Sequence, residues 1–197
     1  MLQGRVKRYG LVFGLSLGLG SLAWSATMHL LDVSKQRGRY QVVARTHMDA
    51  PAKAIFDVLV DYDRLHRISS VYKETRYLEP DTDGTPMVYT RMAGCMMFYC
   101  MNMRRVERLQ AEAPRYIRTE TLPEQSDFRY AHSEWLLEPE AVGTNVTYTL
   151  VMEPDFWVPP VIGPWVIKHT LRRGGGYVIN RIERLANGLP ARAPHDD

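Results

Sequence analysis

Two thiols, six imidazoles and a glycine triplet are the residues whose chemistry has to be accounted for first. Cys95 and Cys100 are the only cysteines and bracket "MMFY", Met96–Tyr99. Along an extended strand their separation would be roughly 16 Å, whereas a disulfide needs Cα atoms within about 7 Å. A bond between them therefore requires the chain to turn back. "MMFY" then becomes the tip of a clamped hairpin, and closing so short a ring stabilises by about 2 kcal/mol. The alternative is a pair of unlinked thiols in a core strand. The histidines, His29, His47, His66, His132, His169 and His195, fit no HExxH or other zinc spacing. No GxSxG elbow is present. Asp61 and Asp63 stand two apart, positions that diverge on a helix, so they read as a cap or a solvated face. Gly174–Gly176 follows no strand and carries no GKS, which excludes a phosphate loop. The sequence assigns no catalytic residue, no metal ligand and no cofactor.

The ends of the chain indicate its compartment. Arg5, Lys7 and Arg8 precede the apolar run Leu11–Ala23, and small residues at Ala23 and Ser25 allow cleavage before Ala26. Residues 1–25 thus read as a secretory signal peptide, with a periplasmic or secreted product. An uncleaved signal that anchors the chain is the alternative. Three of the 25 basic residues lie in this segment, leaving 22 to balance the 22 acidic ones. A nucleic-acid partner would need a retained, clustered positive excess, so that class is excluded. What remains suffices for one domain with one core. Residues 26–38 read as an N-terminal extension, 39–188 as the domain and 189–197 as a disordered tail.

The domain's elements follow from periodicity. Arg39–Met48 reads as a strand. Asp49 and Pro51 open a helix that carries Ile55 and Leu59 on one face, and "DYDRLHRIS" suggests a second short helix. Strand-like runs follow at Val71–Leu78, Pro86–Met92, Met101–Leu109, Tyr116–Leu122, Phe128–Glu138 and Asn145–Met152, separated by turn signals such as "DTDG". Val146, Tyr148, Leu150 and Met152 share one face of the last strand. A long helix closes the chain, with Ile167, Leu171, Val178, Ile182 and Leu185 at helical spacing and Asn187–Gly188 as its stop. The expected fold is α+β: a curved antiparallel sheet of about seven strands with the long helix on its concave face. The glycine triplet inside that helix implies close packing, a kink, or space left above the sheet for a ligand.

Apolar residues are concentrated where turns should be polar. Glu153–Trp165, "EPDFWVPPVIGPW", carries Phe156, Trp157 and Trp165 among prolines that interrupt any continuous strand or helix. It reads either as a loop folded onto the core or, with "MMFY", as one lip of a cavity mouth suited to transient contact with a membrane surface. The ten methionines suit a loosely shaped apolar lining.

"YQVVARTHMDAPAKAIFDVLVDYDRLHRISSVYKETRYLE", "SDFRYAHSEWLLEPEAVGTNVTYTLVMEP" and "VPPVIGPWVIKHTL" resemble segments of the START-like (SRPBCC) superfamily, the group that holds the coenzyme Q-binding and polyketide cyclase/dehydrase-type domains. The resemblance spans about Arg39 to Leu185. It implies a helix-grip fold around a cavity for a hydrophobic small molecule such as a lipid, quinone, sterol or polyketide. It carries over no shared catalytic residue. The expected lining is Met101, Met103, Trp135, Tyr148, Leu150 and Met152 from the sheet, Phe156 and Trp157 from the loop, and Ile167, Leu171 and Val178 from the helix. Met96, Met97, Phe98 and Tyr99 would form the mouth. The leading expectation is a non-enzymatic exported carrier. The alternatives are a cyclase or aromatase-like enzyme, with Tyr130 and His132 as first acid–base candidates, and a cell-envelope interaction module with a filled core. Ligand identity and oligomeric state stay open.

Overall fold

The computed structural model describes residues 27–96, 99–156 and 163–191. The signal-type segment 1–25, Met97, Phe98, Trp157 and the end of the tail lie outside these residues. Among the described residues an eight-stranded antiparallel sheet dominates, in the order β1-β2-β8-β7-β6-β5-β4-β3. β1 is Thr27–Gln36, β2 Arg39–Met48, β3 Tyr72–Leu78 and β4 Met87–Met96. β5 is Tyr99–Glu112, β6 Tyr116–Thr121, β7 Phe128–Pro139 and β8 Thr144–Pro154. Between β2 and β3 come helix α1, Ala52–Val60, and a 3-10 helix, Tyr62–Arg67, which carry the chain from one side of the sheet to the opposite edge. Helix α2, Gly163–Ala186, ends the domain.

The helix-grip architecture expected from the resemblance is therefore present, with local differences. The segment read as an N-terminal extension forms β1, an eighth strand paired with β2 from Thr27 to Gln36. Its turn uses positive φ at Arg37 and Gly38, and the non-glycine there hid the hairpin. The helix expected to start on Asp49 is capped instead by the backbone at Pro51, with no side-chain cap bond. Asp49 uses its backbone N–H to donate to Glu183 of α2 at 2.8 Å.

Strand alternation divides the sheet into two faces. Met48, Val146, Leu137, Ile117 and Leu109 point to the concave side, where they pack with Ile55, Phe56 and Leu59 of α1 and Ile179 and Ile182 of α2. Each such side chain contributes about 1.5–3 kcal/mol by burial. The C-terminal end of α2 is fixed there by Glu183 and by Asn187, whose amide donates to the Asp49 carbonyl at 3.0 Å. Gly188, at φ +70°, ends the helix as its Asn-Gly signal implied. Gly143, at φ +77°, turns β7 into β8 so tightly that a Cβ would collide with the Met48 carbonyl. By contrast, a Cβ on Gly174 or Gly176 would meet nothing within 4 Å, so close packing does not require these glycines.

Candidate ligand-binding site

The other half of the concave face, toward the β4–β5 hairpin, is built differently. The hairpin extends the ladder further than the sequence suggested: Cys95 stands opposite Cys100, and Met96 opposite Tyr99. The cysteines are bonded across the strands, with Cα atoms 3.9 Å apart. The expected four-residue loop is thus two strand ends joined through residues 97–98.

Register places the expected sheet residues. Met103 lies opposite Met92 and Met101 opposite Gly94, on the same face of β5 as Leu109. Trp135 lies opposite Tyr148, and their rings are 4.3 Å apart between centroids. Leu150 and Met152 sit opposite Ser133 and Ala131 on that face. Phe156 meets Phe128 edge-to-face at 5.9 Å. Val178 packs on the apolar cluster at the α1 end, and Trp135 touches the same cluster from the sheet side. Ile167 and Leu171 lie in the N-terminal half of α2; their side chains, and those of Met96 and Tyr99, are outside the described residues, as is Trp157.

Amid these apolar residues runs a buried polar band that the sequence reading did not include. Glu107 and Arg105 alternate with Leu109 along β5, so both face the concavity. Their side chains are only 2% and 12% exposed and stand 3.5 Å apart. Thr119 gives its hydroxyl proton to Glu107 at 2.9 Å, so Ser133 must be the donor in its 2.8 Å contact with Thr119. Burial disfavours the charge on Arg105, but the negative charge of Glu107 more than reverses this and holds the guanidinium charged. Burial, above all, raises the phenols of Tyr62, Tyr72 and Tyr148, so they stay neutral. Charged residues in a sequence ordinarily read as surface; it is the register of β5 that puts Arg105 and Glu107 in the inward phase of Met101, Met103 and Leu109.

The acid–base candidates take the opposite side. Ala131, Ser133 and Trp135 face inward, so His132 and Tyr130 face outward. His132 contacts Glu134 at 3.1 Å, and Tyr116 donates to the same carboxylate at 2.6 Å. The Arg39 guanidinium stacks on the Tyr130 ring at 4.3 Å. Among the described residues, one surface pocket lies around Phe56, Tyr77 and Pro86 and another around Pro51, Pro139 and Val142. Neither contains an expected lining residue. Among these residues no cluster of three or more His, Cys, Asp or Glu is placed to hold a metal ion. None of their helices is long and apolar enough to cross a membrane.

Comparison with known proteins agrees with this architecture. Solved structures with the same fold include the aromatase/cyclase Zhui from a Streptomyces species, at 16% identity and TM-score 0.58, covering 76% of this chain and 94% of that one. Human STARD10 matches at 13% identity and TM-score 0.58, covering 81% and 74%. A START superfamily protein from Mycobacterium smegmatis matches at 19% and 0.58, covering 74% and 98%. The search of curated proteins gives no match. A family profile described as polyketide cyclase / dehydrase and lipid transport matches residues 39–185. The chain belongs to that family, and its fold is START-like.

Proposed function

We propose that this domain is a non-enzymatic carrier that holds a hydrophobic small molecule between the hairpin half of the concave face and the N-terminal half of α2. The observation that carries the reading is the contrast within one face: the α1 end is packed shut, while the hairpin end presents half-buried methionines and aromatics around a polar band. The family description, which includes lipid transport, supports the same reading. The exported location rests on the signal-type segment and is supported by the Cys95–Cys100 bond, which suits an oxidising compartment.

Catalysis on a bound aromatic is the weaker reading, because Tyr130 and His132 stand on the convex face, away from such a ligand. Native mass spectrometry of the protein purified from the periplasm, followed by organic extraction, tests the carrier reading. A co-purifying lipid-like molecule is the expected result. A ligand-free mass that persists after incubation with a total lipid extract would contradict it.

A further inference from the structure

The polar band contains more hydrogen-bonding capacity than the protein uses. Thr75 of β3 stands opposite Thr90 of β4, and Thr90 stands opposite Arg105 of β5. These three neighbours form one row across three strands. Among the described residues, the hydroxyls of Thr75 and Thr90 and the Nε–H of Arg105 are all buried without a hydrogen-bond partner, as is the hydroxyl of Thr121, opposite Glu107. Buried polar groups are ordinarily satisfied, because leaving one bare forfeits its hydration. One such atom is an irregularity, but a contiguous row beside a charged pair is a site built to be completed by something else.

We propose that this row receives the head of the bound molecule, and that the head is a neutral oxygen-bearing group, a carbonyl or hydroxyl, rather than a phosphate or carboxylate. The proposal rests on the carrier reading and adds the chemistry of the ligand. The Arg105 charge is already balanced by Glu107 at 3.5 Å. An anionic head would leave one uncompensated negative charge among buried groups, a large desolvation cost. A plain hydrocarbon would leave every atom of the row bare. A carbonyl oxygen accepts from Arg105 Nε–H and a threonine hydroxyl together, and a ligand hydroxyl can also donate to a threonine oxygen. Met103 and Met101 come next along β5 toward the hairpin, so the tail would lie over them with its end at the disulfide-closed tip.

The test is displacement of a pyrene-labelled alkane from the folded protein by four competitors of equal chain length: hexadecane, a methyl ketone, palmitate and a lysophosphatidic acid. The ketone is expected to compete about tenfold better than hexadecane, the yield of one charge-assisted hydrogen bond, and better than both charged lipids. Thr90→Val and Thr75→Val should each reduce the ketone's advantage several-fold without weakening hexadecane. Thr144→Val, the same change outside the row, should leave the ratio unchanged. Equal competition by ketone and hexadecane, or preference for palmitate or the lysolipid, would overturn the proposal while leaving the carrier reading intact. Failure of the labelled alkane and all competitors to bind would overturn both.

Discussion

The two halves of the concave face are made by the same strands and end in opposite chemistry. At the α1 end, β2, β5, β6, β7 and β8 present Met48, Leu109, Ile117, Leu137 and Val146, and α1 and α2 close over them. The buried hydroxyls at its edge are paired: Thr144 donates to the Ala50 carbonyl at 2.8 Å and Thr46 to the His47 carbonyl at 3.3 Å. Toward the hairpin, the strands present Arg105, Glu107, Thr75, Thr90 and Thr121, and several of those groups have no partner among the described residues. The first half obeys the rule that buried polar atoms are paired, and the second departs from it. A fold can carry such a departure only if the packed half supplies the stability and the other half serves a different purpose.

That contrast can be broken by matched substitutions. The largest effect is expected from Leu137→Ala, which opens a cavity in the packed half and should cost about 2–5 kcal/mol in denaturant unfolding. Met103→Ala, in the half-buried lining, should cost less than about 1.5 kcal/mol. Equal losses would mean that the two halves are packed alike. Next in size is the hairpin, which lies beyond the apolar cluster and is closed covalently. Replacing Cys95 and Cys100 together by serine should lower stability by about 2 kcal/mol. Hydrogen exchange should show the faster opening confined to the β4–β5 tip.

The polar half also has a pH signature. Tyr62, Tyr72 and Tyr148 have phenols raised above their ordinary value of 10.0, chiefly by burial. Their contribution is complete below about pH 10, where they are protonated in both states. Above it the unfolded chain loses protons that the folded chain retains, so stability falls by up to about 1.4 kcal/mol per pH unit for each tyrosine. Urea midpoints taken with tyrosinate absorbance should show this decline before these residues ionise in the folded protein. A midpoint unchanged through alkaline pH would show them open to water.

The smallest effects carry opposite signs. Thr144→Val should destabilise by about 1 kcal/mol, because it removes the partner of a buried carbonyl. Thr90→Val should stabilise by a similar amount, because it removes a hydroxyl that has no partner. Thermal melts of the two variants in parallel measure the difference. A loss at both positions would mean that Thr90 is satisfied after all.

Most of the fold was legible in the sequence because its signals are local. The alternation of Val146, Tyr148, Leu150 and Met152, the glycine turns at Gly84 and Gly143, and the Asn187–Gly188 stop each depend on a few adjacent residues. β1 was missed because a register shift between Met28 and Leu30 puts its apolar alternation out of phase and its turn places Arg37 at positive φ. The inward aim of Tyr148 was readable from its own strand, while that of Met101 and Met103 needed the register of β5 against β4. The polar band was not legible because it is not a motif. Thr75, Thr90, Arg105, Thr119 and Ser133 come from five strands, and only cross-strand pairing makes them neighbours. His132 and Tyr130 drew attention as chemistry-bearing types, but the alternation of β7 sends them outward.

The most direct test of the central claim is where a bound molecule lies. A long-chain ketone carrying a photoactivatable diazirine in its tail can be crosslinked to the folded protein and the labelled peptides mapped by mass spectrometry. Label on the β5 segment containing Met101 and Met103, and on the β7 and β8 segments containing Trp135 and Met152, is the predicted result. Label confined to the surface pockets around Phe56 or Pro139, or on the convex face at Tyr130 and His132, would contradict it.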